Sequence, residues 1–165
     1  REFNKNLKID RKKFTFLIAG KFIKNELKWK TKDDFISYIN GLGENINYLD
    51  HQDEMDLLFK KASVIVLPTY YGEGVPKILL ESLASGIPII TTFQRGCREL
   101  VDKGKNGFIC RKKDPENLSN IFDKFQKLSN NDIYKMSLNC IAYARKNLSI
   151  NKVTKNHNIA YNYFE

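Results

Sequence analysis

The sequence has 165 residues, 42% of them hydrophobic and 12% aromatic, enough to bury a core in one domain and too apolar for a disordered chain. No apolar run approaches the roughly 18 residues that cross a bilayer, and the opening REFNKNLKIDRKK lacks the apolar core of a signal peptide. The formal net charge of +9 favours polyanions, anionic lipid headgroups and phosphorylated small molecules as partners, but the lysines are spread along the chain rather than gathered into an arm, which gives nucleic-acid binding little support.

KFTFLIAG is an apolar run closed by glycine, the pattern of a buried strand followed by a loop. TKDDFISYINGLG reads as a helix, with Thr31 as cap, Asp33 and Asp34 in the first turn and Phe35, Ile36 and Ile39 on one face. NINYLD is a second strand, and DEMDLLFKKA a second helix, acidic at its start and basic at its end. SVIVLP is a third strand, stopped by Pro68. VPKILLESLASG is a helix with Pro76 near its first position and Gly86 at its close. IPIITT is a fourth strand, GCRELVDKG a short helix and GFIC a brief fifth strand. Leu118, Ile121, Phe122, Phe125 and Leu128 then recur at helical spacing behind Pro115. NDIYKMSLNCIAYARKNL and INKVTKNHNIAYNYFE complete a helical tail over about residues 131–165. Alternating strands and helices predict one α/β domain over residues 1–165, a parallel sheet sandwiched by helices, with ligands beyond the carboxyl ends of the strands. Cys97, Cys110 and Cys140 show no C-x-x-C spacing, and with two histidines they argue for a reducing compartment, the cytoplasm, and against structural zinc.

YYGEGVPKILLESLASGIPIITT, Tyr70–Thr92, holds the chemistry. Gly72 and Gly74 flank Glu73 and let the backbone approach a ligand closely. The helix that follows, starting near Val75 or Pro76, turns backbone amides and a partial positive charge toward this loop, which suits phosphate or sugar oxygens. Glu81 lies about 7–8 Å further along the helix axis, so two carboxylates hold positions at opposite ends of an extended polyol-bearing ligand. A capping role for Glu73 and a water-facing Glu81 fit the same spacing. However, Ile78, Leu79, Leu80 and Leu83 surround Glu81, and an inward carboxylate needs partners.

The stretch ASVIVLPTYYGEGVPKILLESLASGIPIITTFQRGCRELVDKGKNGFICRKKDPENL resembles the donor-binding half of the GT-B glycosyltransferases of family four. These enzymes use nucleotide sugars, and many build bacterial O-antigen, capsule and related polysaccharides. The E-x(7)-E pair Glu73 and Glu81, VLPTYY, SGIPIITT, GCRELV and NGFI…DPENL occur in the family's order, and the likeness runs from Lys13 to about Leu128. It implies a Rossmann-like domain, the C-terminal half of a GT-B fold. It gives Glu73 to the transferred sugar as the catalytic-site carboxylate and Glu81 to the ribose hydroxyls. Gly72, Gly74, Val75, Pro76 and Lys77 line the sugar or diphosphate, with Asp50 in the loop beside the base. It further implies retention of anomeric configuration, no metal and no cofactor, and a UDP- or GDP-sugar as donor. The hexosyl or N-acetylhexosaminyl group would pass to a polysaccharide or lipid-linked acceptor, in the cytoplasm at the inner face of the membrane.

Against that pattern, the acceptor-binding N-terminal domain is missing, as are the first strand and loop that supply an arginine and a lysine to the diphosphate. AGKFIKNELK belongs to the next strand, judged by its distance to NINYLD. Lys77, Arg95 and Arg98 are candidates to replace the missing cations. The expectation is a transferase part inactive alone, either completed by a separate N-terminal polypeptide or a fragment or truncated product of a longer enzyme. The alternative is a degenerate non-catalytic interaction module, and a basic nucleic-acid-binding domain stands third, on charge alone. Cys97, His51 and Trp29 read as packing or surface residues, and Tyr161, Tyr163 and Phe164 as a tail that packs on the sheet or a missing domain.

Overall fold

The computed structural model describes residues 14–24, 29–72, 74–149, 152 and 154. In chain order these form β1 (Phe16–Ala19), α1 (Lys32–Asn40), β2 (Ile46–Asp50), α2 (Met55–Lys61), β3 (Ile65–Leu67), α3 (Lys77–Ala84), β4 (Ile89–Thr92), a single 3-10 turn (Arg98–Leu100), β5 (Gly107–Cys110), α4 (Pro115–Gln126) and α5 (Asn130–Asn147). Every strand pair is parallel. β1 pairs with β2, Phe16 opposite Ile46. β3, β4 and β5 form a second sheet in that order, Ile65 opposite Ile89 and Ile89 opposite Gly107. The expected α/β architecture is present, with its strands divided between two sheets because β1 and β3 do not pair. GCRELVDKG, expected as a helix, makes only the 3-10 turn, and most of the tail beyond Ser149, including Tyr161, Tyr163 and Phe164, lies outside the described residues.

α1, α4 and α5 begin where a side chain accepts an otherwise orphaned amide. Thr31 Oγ1 accepts from Asp34 N at 3.1 Å, and Asp114 Oδ1 from Asn117 N at 2.8 Å ahead of Pro115. α5 carries a reciprocal capping box: Asp132 N donates to Ser129 Oγ at 3.2 Å and Ser129 N to Asp132 Oδ2 at 3.1 Å. α2 and α3 are the exceptions, since neither Glu54 nor Pro76 makes a side-chain cap hydrogen bond.

The three-stranded sheet is covered on both faces. Leu79 and Leu83 of α3 meet Ile89, Leu100, Cys140 and Ala144 on one side. Leu118, Ile121 and Phe122 of α4 meet Ile90 and Cys110 on the other. β4, between its two neighbours, is buried throughout. Gly86 (φ +76°) seats the end of α3 on α5: a Cβ there would lie 2.9 Å from Ser137 Oγ and 3.1 Å from Ile141. Buried Asn106 ties the layers, its Nδ2 donating to Leu100 O at 3.0 Å and its Oδ1 accepting from Asp102 N at 2.8 Å. All three cysteines are buried and outside any disulfide. Burial pushes the thiols of Cys110 and Cys140 up to about 11 and about 12, so they stay protonated and unreactive.

The capping box carries a pH signature. Hydrogen bonds from Ser129 hold the Asp132 carboxyl below its usual 3.8. Its contribution is therefore complete above that value and lost as pH falls through the lower folded value. Ser129→Ala is expected to cost about 1 kcal/mol in urea unfolding at neutral pH, with the difference from wild type shrinking below pH 3.8; a pH-independent difference would contradict the pairing.

Candidate functional site

The site grows from the carboxyl end of β3. Where the ladder stops, Thr91 Oγ1 donates to Leu67 O at 2.9 Å and Thr92 Oγ1 donates to Thr69 O. Two side chains of β4 thus satisfy the last carbonyls of β3 and of the loop. Thr69 Oγ1 accepts from Tyr71 N at 3.3 Å. Tyr70 and Tyr71 stack at 4.4 Å with their hydroxyls 3.0 Å apart, and Lys113 Nζ lies 4.7 Å over the Tyr70 ring.

The loop then crosses the turn after β4. Gly96 (φ +86°) lies so close that a Cβ on it would stand 2.2 Å from Gly74 O and 3.3 Å from Val75 N. Beneath Gly72 lies Gln94, buried, with Oε1 lacking a hydrogen-bond partner among the described residues; its Nε2 would be 3.6 Å from a Cβ on Gly72. A buried acceptor without a partner is costly, and nothing in the sequence marks this glutamine. Gly72, Gly74 and Val75 are exposed and Pro76 is buried.

α3 begins at Lys77. Leu79 N and Leu80 N donate to Pro76 O at 3.1 and 3.4 Å, while the amides of Lys77 and Ile78 precede the first intrahelical acceptor. With no acidic residue in the first turn, the positive end of the helix faces the glycine loop uncompensated by a side chain of that turn. Leu79, Ser82 and Leu83 turn inward, which leaves Glu81 on a half-exposed stripe. Its Oε1 lies 3.2 Å from Lys77 Nζ one turn earlier. A carboxylate is tolerated within this apolar helix because it is neither buried nor unpaired.

Of the residues expected at the site, Gly72, Gly74, Val75 and Pro76 lie in the loop that leads into α3 and Lys77 and Glu81 on the helix itself, and Glu73 lies outside the described residues. Asp50 (φ +60°) closes β2, in the other sheet. Its carboxylate is paired with Lys32 and lies 3.0 Å from the Tyr48 hydroxyl, which also reaches Gly20 O at 2.7 Å. The Lys32 ammonium, then the Tyr48 hydroxyl, hold the Asp50 carboxyl below its usual value. Of the cations, Arg98 binds Glu99 at 2.9 Å and covers the Phe93 ring at 4.8 Å, while Arg95 is exposed. Trp29 packs on Phe35 and Tyr38 at 5.1 and 4.8 Å, His51 is exposed beside Asp53, and Cys97 is packed in the core. No metal-binding cluster occurs among the described residues, and no helix there is long and apolar enough to cross a membrane.

A family model described as glycosyl transferases group 1 matches residues 2–147. WcaL of Salmonella typhimurium, named for colanic acid biosynthesis, is 31% identical over 85 residues, 48% of this chain and 21% of its own length. The N,N'-diacetylbacillosaminyl-diphospho-undecaprenol alpha-1,3-N-acetylgalactosaminyltransferase of Campylobacter jejuni is 28% identical over 138 residues, 71% of this chain and 36% of its own. Among solved structures, Anabaena Alr3699/HepE in complex with UDP has a TM-score of 0.72 at 20% identity, over 90% of this chain and 40% of that one. The chain thus spans about a fifth to two fifths of these proteins, and the structural likeness shows a shared Rossmann-like α/β fold.

Gly96→Ala forces a Cβ into the Gly74 carbonyl at a positive φ. It is expected to cost more than about 1 kcal/mol and to shift the amide resonances of Gly72, Gly74 and Val75 before those of α4; unmoved loop resonances would mean that Gly96 does not set the loop.

Proposed function

The chain belongs to the glycosyl transferases of group 1, and from that premise we propose that it is the donor-binding part of a retaining enzyme that moves a sugar from a nucleotide sugar to a polysaccharide or lipid-linked acceptor. The observation that carries the reading is the β3–α3 entrance: a glycine-flanked loop clamped against Gly96, opening onto helix amides with no acid of their own and onto a half-exposed Glu81. That combination offers donors to a diphosphate and an acceptor to vicinal hydroxyls, the two chemistries that a nucleotide sugar presents together.

The Lys77 and Ile78 amides hold the diphosphate and stabilise the charge it gains as the bond to the anomeric carbon breaks; preorganised donors of this kind act without reorganisation cost. Glu81 accepts from the ribose hydroxyls, and Lys77, which it pairs with in the absence of donor, turns toward the phosphates. Glu73 contacts the transferred sugar, and Asp50 stands by the base. HepE is solved in complex with UDP, which supports a uridine donor here as well. The colanic acid name of WcaL and the diphospho-undecaprenol acceptor named for the Campylobacter enzyme support a surface-polysaccharide or lipid-linked product, made in the cytoplasm at the membrane face.

Calorimetric titration is expected to show binding of UDP and, more weakly, of pyrophosphate. Glu81→Ala is expected to weaken UDP by about tenfold or more, as loss of hydrogen bonds to a charged group implies, and to leave pyrophosphate unchanged. Equal UDP affinity in both proteins removes the ribose role of Glu81. Absence of UDP binding in wild type replaces this reading with a non-catalytic interaction module.

A further inference from the structure

The carboxyl edge of the three-stranded sheet carries apolar surface that the core does not use. Tyr70 and Tyr71, on the loop after β3, are 46% and 63% exposed, and Phe93, directly after β4, is 54% exposed. Large side chains standing together in water, at the edge where an α/β sheet takes its ligands, call for an explanation. The two tyrosines are held in place. Their rings stack at 4.4 Å with 29° between the planes, and their hydroxyls share a hydrogen bond at 3.0 Å, so little freedom remains to be lost when a ligand arrives.

Lys113 completes the arrangement from the far side of β4. The strand order β3-β4-β5 places its loop, which follows β5, two strands from Tyr70. Its Nζ nevertheless lies 4.7 Å from the centre of the Tyr70 ring. The turn that carries it is fixed on both sides: Arg111 N donates to Asn117 Oδ1 at 2.8 Å, and the Arg111 guanidinium pairs with Asp114, the cap of α4, at 2.8 Å. Between them Lys113 takes φ +53°, a conformation that suits glycine and strains a lysine. A cation over an exposed ring returns less than that strain costs. Stability therefore does not account for a lysine at this position, and strain kept without a return in stability points to function.

The charge is also uncommitted. Among the described residues Lys113 pairs with no carboxylate, whereas the neighbouring cation–ring pair, Arg98 over Phe93 at 4.8 Å, is already answered by Glu99 at 2.9 Å. We infer that Tyr70, Tyr71 and Lys113 form a subsite for the acceptor, a sugar ring that bears a carboxylate or a phosphate. The face of a tyrosine packs on the C–H face of a pyranose, and the tyrosine hydroxyls stay within reach of the sugar's own. The ammonium meets the anion. Uracil also stacks, but it is neutral and leaves the ammonium unanswered, and an apolar protein surface would bury that charge without a partner. Tyr71 is bonded directly to Gly72, so a ring held here borders the glycine loop and the donor beside it. The inference names an acceptor class for the transferase reading and rests on that reading.

The test is a set of nitrogen-15 NMR titrations of the full 165-residue chain with methyl glucuronide, glucose 6-phosphate and the neutral methyl glucoside, each with and without UDP. At least one anionic sugar is expected to shift the Tyr70, Tyr71 and Lys113 amides saturably, and the glucoside to bind about tenfold more weakly; the tighter of the two anionic sugars identifies the anion. Lys113→Gly and Lys113→Asn remove the charge and both accept the φ. They are expected to melt no lower than wild type, to reduce the anionic sugars to the affinity of the glucoside and to bind UDP unchanged. Equal affinity for charged and neutral sugars overturns the inference, as do anionic sugars that leave these three residues unmoved or bind both variants as well as wild type. Loss of UDP affinity in the variants gives the lysine to the donor phosphates and overturns it too. Failure of UDP to bind the wild-type chain defeats the transferase reading instead, and the subsite is then decided by the sugar titrations alone.

Discussion

Thr91 and Thr92 hold the carboxyl end of β3 by donating their hydroxyls to the carbonyls of Leu67 and Thr69, and the geometry of the whole site descends from that attachment. Both threonines belong to a strand buried along its length, where a hydroxyl without a partner is costly, so each side of the contact enforces the other. The chain then leaves β3 in one direction, over Gln94 and against Gly96, whose missing side chain sets how near the loop can come. α3 starts where the loop ends, and its inward stripe of Leu79, Ser82 and Leu83 against the sheet and α5 fixes its rotation. The outward stripe carrying Lys77 and Glu81 follows from that rotation rather than from any property of the two charged residues.

The charges near the site are arranged as short local pairs. Lys77 answers Glu81 and Arg98 answers Glu99, while Lys32 answers Asp50 in the other sheet, so part of the positive charge near the site is already compensated. Exposed pairs of this kind contribute little to stability and exchange readily for a ligand's oxygens. What remains fixed at the entrance is the backbone, and a backbone donor set at a helix start serves phosphate without the long side chains that must first be ordered.

Much of this was legible in the sequence, for identifiable reasons. Strands β3 and β4 announced themselves as apolar runs broken by proline and glycine, and α4 by helical spacing behind Pro115. The glycine loop leading into a proline-started helix pointed to the candidate site. Other features depend on contacts distant in sequence and leave no periodic trace. The threonine hydroxyls reach back more than twenty residues, Asn106 joins three backbone segments, and Gln94 is marked only by an amide oxygen without a partner among the described residues. The division of the sheet was illegible because FLIA and IVL describe the strand and not the neighbour it needs. GCRELVDKG carries helix-forming residues, but the turn is held by Glu99 accepting from Gly96 N at 2.7 Å and gives way to β5 after one turn.

The central claim is that the amides at the mouth of α3 meet the phosphates of a nucleotide sugar while Glu81 meets its ribose. A nitrogen-15 NMR titration of the chain with UDP-glucose addresses it directly. The account predicts that the largest saturable shifts fall on Gly72, Gly74, Val75, Lys77 and Ile78, with Glu81 following, and that β5 and α4 stay still. Saturable shifts centred elsewhere, with the mouth of α3 unmoved, would contradict it.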